Sequence, residues 1–243
     1  MLWCALDKKG IFSTAERIAL LERFLAHFPV TRIDGLTADR EFRGYRWLSD
    51  LIQHPIPFRI HIPNNTQTHH RQRNTQLPVI RLFAVQIGET RVLNRPRKRW
   101  GHTLYLVGTR ATTGEPVIVM APHAPHSALL DYRKRWQTEC LFAAMKRRGF
   151  NLEDTPIVEP ERLERLVAVL TLTMCWCNKV GEWVAQHKPI PIKKHPRRAC
   201  SVIRLGLNTL RRLVLNATFH ASELRRMIGL LFDKTAIPTV SYG

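Results

Sequence analysis

Acidic residues are scarce in this sequence. Its 243 residues include 19 Asp and Glu against 38 Lys and Arg, which gives a formal net charge of +19. So large a basic excess is unusual for an enzyme that acts on small molecules, and it indicates a polyanionic partner, most commonly nucleic acid. An anionic membrane surface is a weaker explanation, because the basic residues are spread along the chain and not gathered on one amphipathic helix.

Cysteine pairs and long apolar segments are also missing. The five cysteines are odd in number and include no Cys-x-x-Cys pair, which argues against disulfides and a structural zinc site. The most apolar stretch, residues 166–177, is too short to span a bilayer. The first fifteen residues already carry Asp7, Lys8 and Lys9, unlike a signal peptide. We therefore expect a soluble, cytoplasmic protein with no membrane association.

The first 55 residues alternate between strand and helix patterns. Ser13 and Glu16 form a capping box, the usual start of a helix. Asp39 follows the second apolar run, so it is expected just beyond the end of a strand. The predicted elements are a strand at 1–6, a turn at 7–10, a helix after residue 13, a strand at 30–36 and a helix at 42–54.

The pattern changes after residue 55. Short alternating runs, separated by Pro, Gly and Asn, predict a β-rich segment over residues 56–126. A long helix is then expected at 128–148, capped by Ser127 and ended by Gly149. Strands are predicted at 58–62, 79–87, 103–107 and 116–120, and later helices at 159–187, 201–215 and 221–232. This order of elements is typical of an α/β layered core.

The helix predicted at 128–148 carries a stripe of polar side chains. Tyr132, Arg135, Glu139 and Lys146 lie at offsets of 0, 3, 7 and 14 residues. At about 100° per residue they fall within a sector of roughly 60° on one helix face. On geometry alone, an exposed face held by an Arg135–Glu139 ion pair explains the stripe.

The spacing of these four residues also resembles a known motif. It matches Y-x-x-R-x-x-x-E-x-x-x-x-x-x-K, the signature of insertion-sequence transposases that use an Asp-Asp-Glu metal triad on a ribonuclease H-like core. Residues 34–42, D-G-L-T-A-D-R-E-F, are similar to the segment that carries the second Asp of that family. Residues 6–17 are similar to the strand, turn and helix that precede it. Together the matches cover residues 1–216.

The resemblance implies a chemistry for the matched residues. Asp39 and Glu139 would be catalytic ligands of two Mg²⁺ or Mn²⁺ ions, which prefer carboxylate oxygens. Two such ions about 3.5–4 Å apart neutralise the attacking and leaving oxygens of a phosphodiester. Tyr132, Arg135 and Lys146 would hold phosphates of double-stranded DNA at transposon ends, and the planar fork of arginine suits phosphate.

Two further predictions concern tryptophans. In the resembled family, the β insertion can supply an aromatic residue that stacks on a flipped base. Trp100, which follows Arg97, Lys98 and Arg99, fits that role, although a tryptophan that packs within the insertion is an equally good explanation. Trp136, in the predicted long helix, is expected to pack in the core.

The resemblance also predicts the domain organisation. The fold class is α/β: a ribonuclease H-like core with a mixed sheet flanked by helices, interrupted by a β-rich insertion and followed by a helical C-terminal part. The predicted segments are 1–55, a partial core that lacks its first strands; 56–126, the β-rich insertion; 127–187, the rest of the catalytic core; and 188–243, a basic linker with C-terminal helices.

One element of the family pattern has no match in the sequence. The first Asp of the triad lies on an earlier strand, and Asp7 matches a turn residue instead. We therefore expect an N-terminally truncated cut-and-paste transposase that is inactive as an isolated chain and homodimeric when intact. A non-catalytic DNA-binding remnant and a ribonuclease H-like nuclease remain open alternatives.

Overall fold

The computed structural model describes residues 12–70, 75–146, 150–194 and 198–233. The chain divides into two compact units, one that ends at Glu139 and one that begins at Cys140. The strand and turn predicted at residues 1–10 lie outside the described residues, as does the helix end predicted at 147–149.

A mixed β-sheet forms the centre of the unit that ends at Glu139. Its strands are β1 Leu36–Ala38, β2 Phe58–Ile62, β5 Thr90–Val92, β6 Arg97–Arg99, β7 His102–Arg110 and β8 Pro116–Ala121; β3 Gln67–His70 and β4 Thr75–Pro78 form a separate hairpin. The strand order is β1-β2-β8-β7-β5, and β6 pairs with the start of β7. β1 and β2 are parallel, whereas the other pairs are antiparallel.

Helices cover both faces of this sheet. On one face, α1 (Thr14–Leu25) and α2 (Tyr45–Gln53) pack against alternate residues of the strands, which point to the same side. Their shared core comprises Leu21, Trp47, Leu48, Leu51, Phe58, Ile60, Ile62, Leu104, Leu106, Ile118 and Met120. On the other face, Ala128 and Leu129 of α3 (Ala128–Arg133) pack against Val107, Val119 and Ala121. This layered α/β arrangement is compatible with the ribonuclease H-like core that the resemblance implies.

The start of α1 confirms the predicted capping box. The backbone amide of Ser13 donates to Glu16 Oε2 at 2.6 Å, and the amide of Glu16 donates to Ser13 Oγ at 3.3 Å. Of the predicted strands, the one at 79–87 is wrong, and the one at 30–36 is confirmed only at Leu36. Val30–Arg32 and Val79–Leu82 form 3₁₀ turns that follow prolines, and the strand near Asp39 is limited to Leu36–Ala38. Short apolar runs satisfy either structure, because periodicity alone does not separate a strand from a buried turn.

The prediction of one continuous helix over residues 128–148 is wrong. The segment contains two helices, α3 and α4 (Trp136–Lys146), joined by a turn at residues 134–135. Hydrogen bonds of the i→i−3 type tighten this turn; the Arg135 amide donates to the Tyr132 carbonyl at 2.9 Å. Ser127 does not cap α3, because its hydroxyl donates to Asp131 Oδ2 instead. Tyr132 therefore lies on a different helix from Glu139 and Lys146.

The unit that begins at Cys140 is helical in its described part. Its principal helices, α5 (Pro160–His187), α6 (Val202–Leu215) and α7 (Ala221–Phe232), confirm the predicted ones. They pack around a core of Cys177, Val180, Leu210, Leu213 and Met227. Across the described part of the chain, no helix is long and apolar enough to cross a membrane.

Candidate active site

Asp39 lies where two parallel strands end side by side. It follows Ala38, the last residue of β1, which is opposite Ile60 in β2. His61 is the next residue of β2, and its Nδ1 lies 4.0 Å from Asp39 Oδ1. Because parallel strands end at the same sheet edge, this register places an acidic and an aromatic polar side chain together.

Tyr132 on α3 reaches the same point from the other side. Its hydroxyl donates a hydrogen bond to Asp39 Oδ1 at 3.1 Å, and its ring lies edge-on to His61, with 5.8 Å between centroids. Burial and the negative charge of Asp39 raise the pKa of Tyr132 to about 12. The phenol is therefore neutral near pH 7 and acts as a hydrogen-bond donor.

Arg135 joins two carboxylates that are far apart in the sequence. Its Nη1 lies 3.1 Å from Asp39 Oδ2, and its Nη2 donates to Glu139 Oε1 at 2.5 Å. Burial lowers the pKa of Arg135, but its interactions with Tyr132, Asp39 and Glu139 outweigh burial and raise it. A single permanent cation therefore neutralises part of the charge of both carboxylates.

A second arginine lines the rim beside His61. Arg40 Nε donates to His61 Nδ1 at 3.5 Å, and Arg40 Nη2 forms an ion pair with Glu115 Oε1 at 2.8 Å. Burial, and next the positive charge of Arg40, lower the pKa of His61 to about 4. His61 is therefore neutral near pH 7 and adds no positive charge beside Asp39.

A buried ion pair holds α3 against the sheet. Arg59 of β2 is 6% exposed, and its Nε lies 3.3 Å from Asp131 Oδ2, in a geometry that makes an ion pair and not a hydrogen bond. Ser127 and Lys134 donate hydrogen bonds to the same carboxylate at 3.0 and 3.2 Å. Since Asp131 precedes Tyr132 in the sequence, this pair fixes the turn of helix that presents Tyr132 to Asp39.

These side chains border an open cleft of about 600 Å³ in the unit that ends at Glu139. The lining residues are Asp39, Arg40, Glu41, His61, Glu115, Val117, Tyr132 and Arg135. Asp39 and Glu139 offer the hard carboxylate oxygens that Mg²⁺ and Mn²⁺ prefer, and they already converge on one cationic group. Within the described ranges, however, no cluster of three or more His, Cys, Asp and Glu side chains is arranged to hold a metal ion.

Three of the six residues selected from the sequence, Asp39, Tyr132 and Arg135, line this cleft, and a fourth, Glu139, contacts Arg135. Lys146 is exposed at the end of α4 and belongs to the unit that begins at Cys140. Trp100 lies in the turn between β6 and β7, partly buried against the core of the sheet, and it does not line the cleft. Its role in base stacking stays a prediction. The expectation for Trp136 was wrong, because this side chain is 66% exposed.

Several residues at the cleft were not predicted from the sequence. Arg59 and His61 alternate with three apolar residues in β2, and this alternation was a usable signal for a polar face turned towards a helix. Arg40 directly follows Asp39 and could have been included on that ground. Glu115 had no such signal, because its contact with Arg40 spans 75 residues.

Comparison with known proteins gives two findings. A search of the curated proteins found no match to this chain. The family model described as the transposase DDE domain matches residues 13–176, which is more than half of the 243 residues and includes Asp39, Tyr132, Arg135 and Glu139. The chain therefore belongs to the DDE-domain transposase family.

Proposed function

We propose that this transposase serves cut-and-paste transposition, in which DNA strands are cleaved at transposon ends and transferred to a target, and that cleavage requires a third carboxylate in addition to Asp39 and Glu139. Asp39 and Glu139 are the proposed catalytic residues and metal ligands. The observation that supports this most strongly is their shared contact with Arg135, because it links Glu139 to Asp39 through a phosphate-binding group that lines the open cleft.

The number of available carboxylates determines how many metal ions the proposed site can hold. A bound Mg²⁺ or Mn²⁺ ion supplies the positive charge that stabilises the attacking and leaving oxygens of the phosphodiester. Magnesium sites are commonly built from one or two carboxylates, waters and substrate phosphates, so Asp39 and Glu139 suit one ion. The proposed two-ion arrangement requires a further carboxylate beside Asp39, beyond the ligands that the described residues bring together.

The remaining residues bind and orient the DNA in this proposal. The neutral hydroxyl of Tyr132 donates to Asp39, which keeps that carboxylate aligned at the end of β1. Arg135 binds two oxygens of one phosphate through its planar fork, and Lys146 contributes a point charge. Arg40 and His61 stay at the rim, where the Arg40–Glu115 ion pair fixes the arginine.

Binding to duplex DNA is expected to weaken steeply with salt. The basic excess of 19 charges means that DNA binding releases many condensed counterions from the phosphates. Between 50 and 200 mM salt we expect the affinity to fall by about 10³-fold or more, as for proteins with several phosphate contacts. Fluorescence anisotropy with a labelled duplex measures this slope, and a flat response would argue against DNA as the polyanionic partner.

An ordered phosphate contact in the cleft predicts unequal effects of two arginines. Arg135→Ala should weaken duplex binding by about 5- to 100-fold, as expected for the loss of a charge-assisted, bidentate contact. Arg133→Ala is the matched control, because Arg133 is exposed on α3 and does not line the cleft. Equal losses in the two variants would show that general surface charge, and not the cleft, binds the DNA.

A second candidate function is DNA binding without cleavage. The observation that favours it is the convergence of two, and not three, carboxylates among the described residues. A transposase remnant of this kind would occupy DNA ends and interfere with an active transposase. The nuclease alternative differs in its products: hydrolysis yields cut DNA alone, whereas transposition also yields joined strands.

A further inference from the structure

Arg135 contacts both Asp39 and Glu139, the two residues proposed to hold a metal ion. We propose that Arg135 is a resident stand-in cation: it holds both carboxylates in the metal-free protein and leaves them when a divalent ion binds. The released guanidinium then binds a DNA phosphate, which couples metal binding to DNA binding. This inference rests on the proposed metal site and concerns the order in which that site is filled.

The charges at the cleft favour the exchange. Asp39 and Glu139 carry two negative charges and Arg135 one positive charge, so the trio keeps a net charge of −1. A divalent ion in place of the guanidinium brings the charge of the two carboxylates to zero. The exchange therefore relieves an uncompensated negative charge at the point where a phosphate must approach.

The exposure of the trio makes the contacts easy to break. The side chains of Arg135, Asp39 and Glu139 are 28, 47 and 40% exposed. Ion pairs with this much solvent contact contribute little net stability, because water and salt screen them. Arg135 also lies at the turn between α3 and α4, outside both helices, so its side chain can swing without disturbing a helical ladder.

Displacement leaves the cleft organised for DNA. Tyr132 bonds Asp39 through the other carboxylate oxygen, Oδ1, and this contact does not depend on Arg135. In the present arrangement the Arg135 guanidinium lies 5.7 Å from the centroid of the Tyr132 ring. Once it leaves the two carboxylates, it requires another anionic partner. A DNA phosphate supplies it, so metal should raise DNA affinity, and by thermodynamic linkage DNA should raise metal affinity by the same factor.

A permanent structural bridge is the competing explanation of the same contacts. If Arg135 remained between the carboxylates in every state and held them in place for the metal, its removal would let them move apart and would weaken metal binding through lost preorganisation. The stand-in role predicts the opposite sign, because removing Arg135 eliminates a competitor for the two carboxylates. The direction of one measured change in affinity therefore separates the two explanations.

The experiment is a DNA-free Mn²⁺ titration of the full chain, followed by electron paramagnetic resonance of the free ion. We expect Arg135→Gln to bind Mn²⁺ roughly 3- to 10-fold more tightly than the unsubstituted chain, the gain expected when two exposed competing ion pairs are removed. Arg133→Gln, which makes the same change of charge on exposed α3, should bind as the unsubstituted chain does. Equal or weaker binding by Arg135→Gln would overturn the inference.

Two further variants keep the outcome interpretable. The double variant Asp39→Asn, Glu139→Gln defines binding at this site; if it binds Mn²⁺ as tightly as the unsubstituted chain, the proposed metal site itself is wrong. If the double variant loses binding but Arg135→Gln gains none, only the stand-in role is wrong. Should Arg135→Gln fail to fold by circular dichroism, Arg135→Lys decides instead: a lysine cannot bridge both carboxylates with a planar fork, so tighter Mn²⁺ binding supports the role and unchanged binding overturns it.

Discussion

Supercoiled plasmid DNA incubated with this chain and Mg²⁺ is expected to be bound without being nicked. The described cleft brings together Asp39 and Glu139 but no third ligand, and in-line displacement depends on closely aligned ions. Binding by anisotropy and nicking by agarose electrophoresis, measured in the same buffer, check the two halves of this expectation.

Adding a third carboxylate beside Asp39 is expected to produce cleavage. β1 lies at one end of the described sheet, so a longer version of the chain can place an Asp-bearing strand next to it. In such a version, Asp39→Asn or Glu139→Gln should lower the cleavage rate by roughly 10⁴-fold, as for residues that act as one catalytic unit. Metal-dependent nicking by the present chain that survives Glu139→Gln would place the chemistry elsewhere.

Gly206→Ala is expected to destabilise the helical unit strongly. A Cβ atom at Gly206 would lie 1.8 Å from the carbonyl oxygen of Cys177 and 2.8 Å from the amide nitrogen of Gly181, both on α5. These are backbone atoms, so α5 and α6 would have to separate, and the core around Leu210 would open. We expect a loss of about 2–3 kcal/mol in the free energy of unfolding, in the range of overpacked cores.

Thermal unfolding measures this loss, and the chain contains its own control. For a chain of this size, the expected decrease corresponds to a midpoint lowered by about 5–10 °C. Gly229, in α7, would meet no atom within 4 Å with an added Cβ. Gly229→Ala should therefore stabilise the protein by roughly 0.5–1 kcal/mol through helix propensity. Similar effects in both variants would contradict the close approach of α5 and α6.

Locally encoded elements were predicted well from the sequence. The capping box at Ser13 was itself predicted, and the helices predicted at 159–187 and 201–215 begin with a proline in α5 and a Ser201 cap in α6; all three features act through contacts within a few residues. Their effect does not depend on the rest of the fold, so the pattern was sufficient. The bounds of α7, Ala221–Phe232, also match the prediction.

Elements whose form depends on distant partners were predicted less well. Residues 128–148 have a continuous helical pattern, but the helix is interrupted by a turn at Lys134 and Arg135. There, Asp131 is held by the buried Arg59 on one side and by Lys134 on the other. Trp136 is exposed although its residue type is often largely buried, and it is not part of the core that α3 joins.

By itself, the sequence determined the basic charge, the candidate residues Asp39 and Glu139, and the presence of Arg135 in the same motif as Glu139. These are properties of residue type and spacing. Only the tertiary structure decided that Arg135 joins both carboxylates, that His61 is kept neutral and that Glu115 fixes Arg40. These contacts link residues far apart in the chain, and they exist because the register of β1 on β2 and the packing of α3 bring them to one sheet edge.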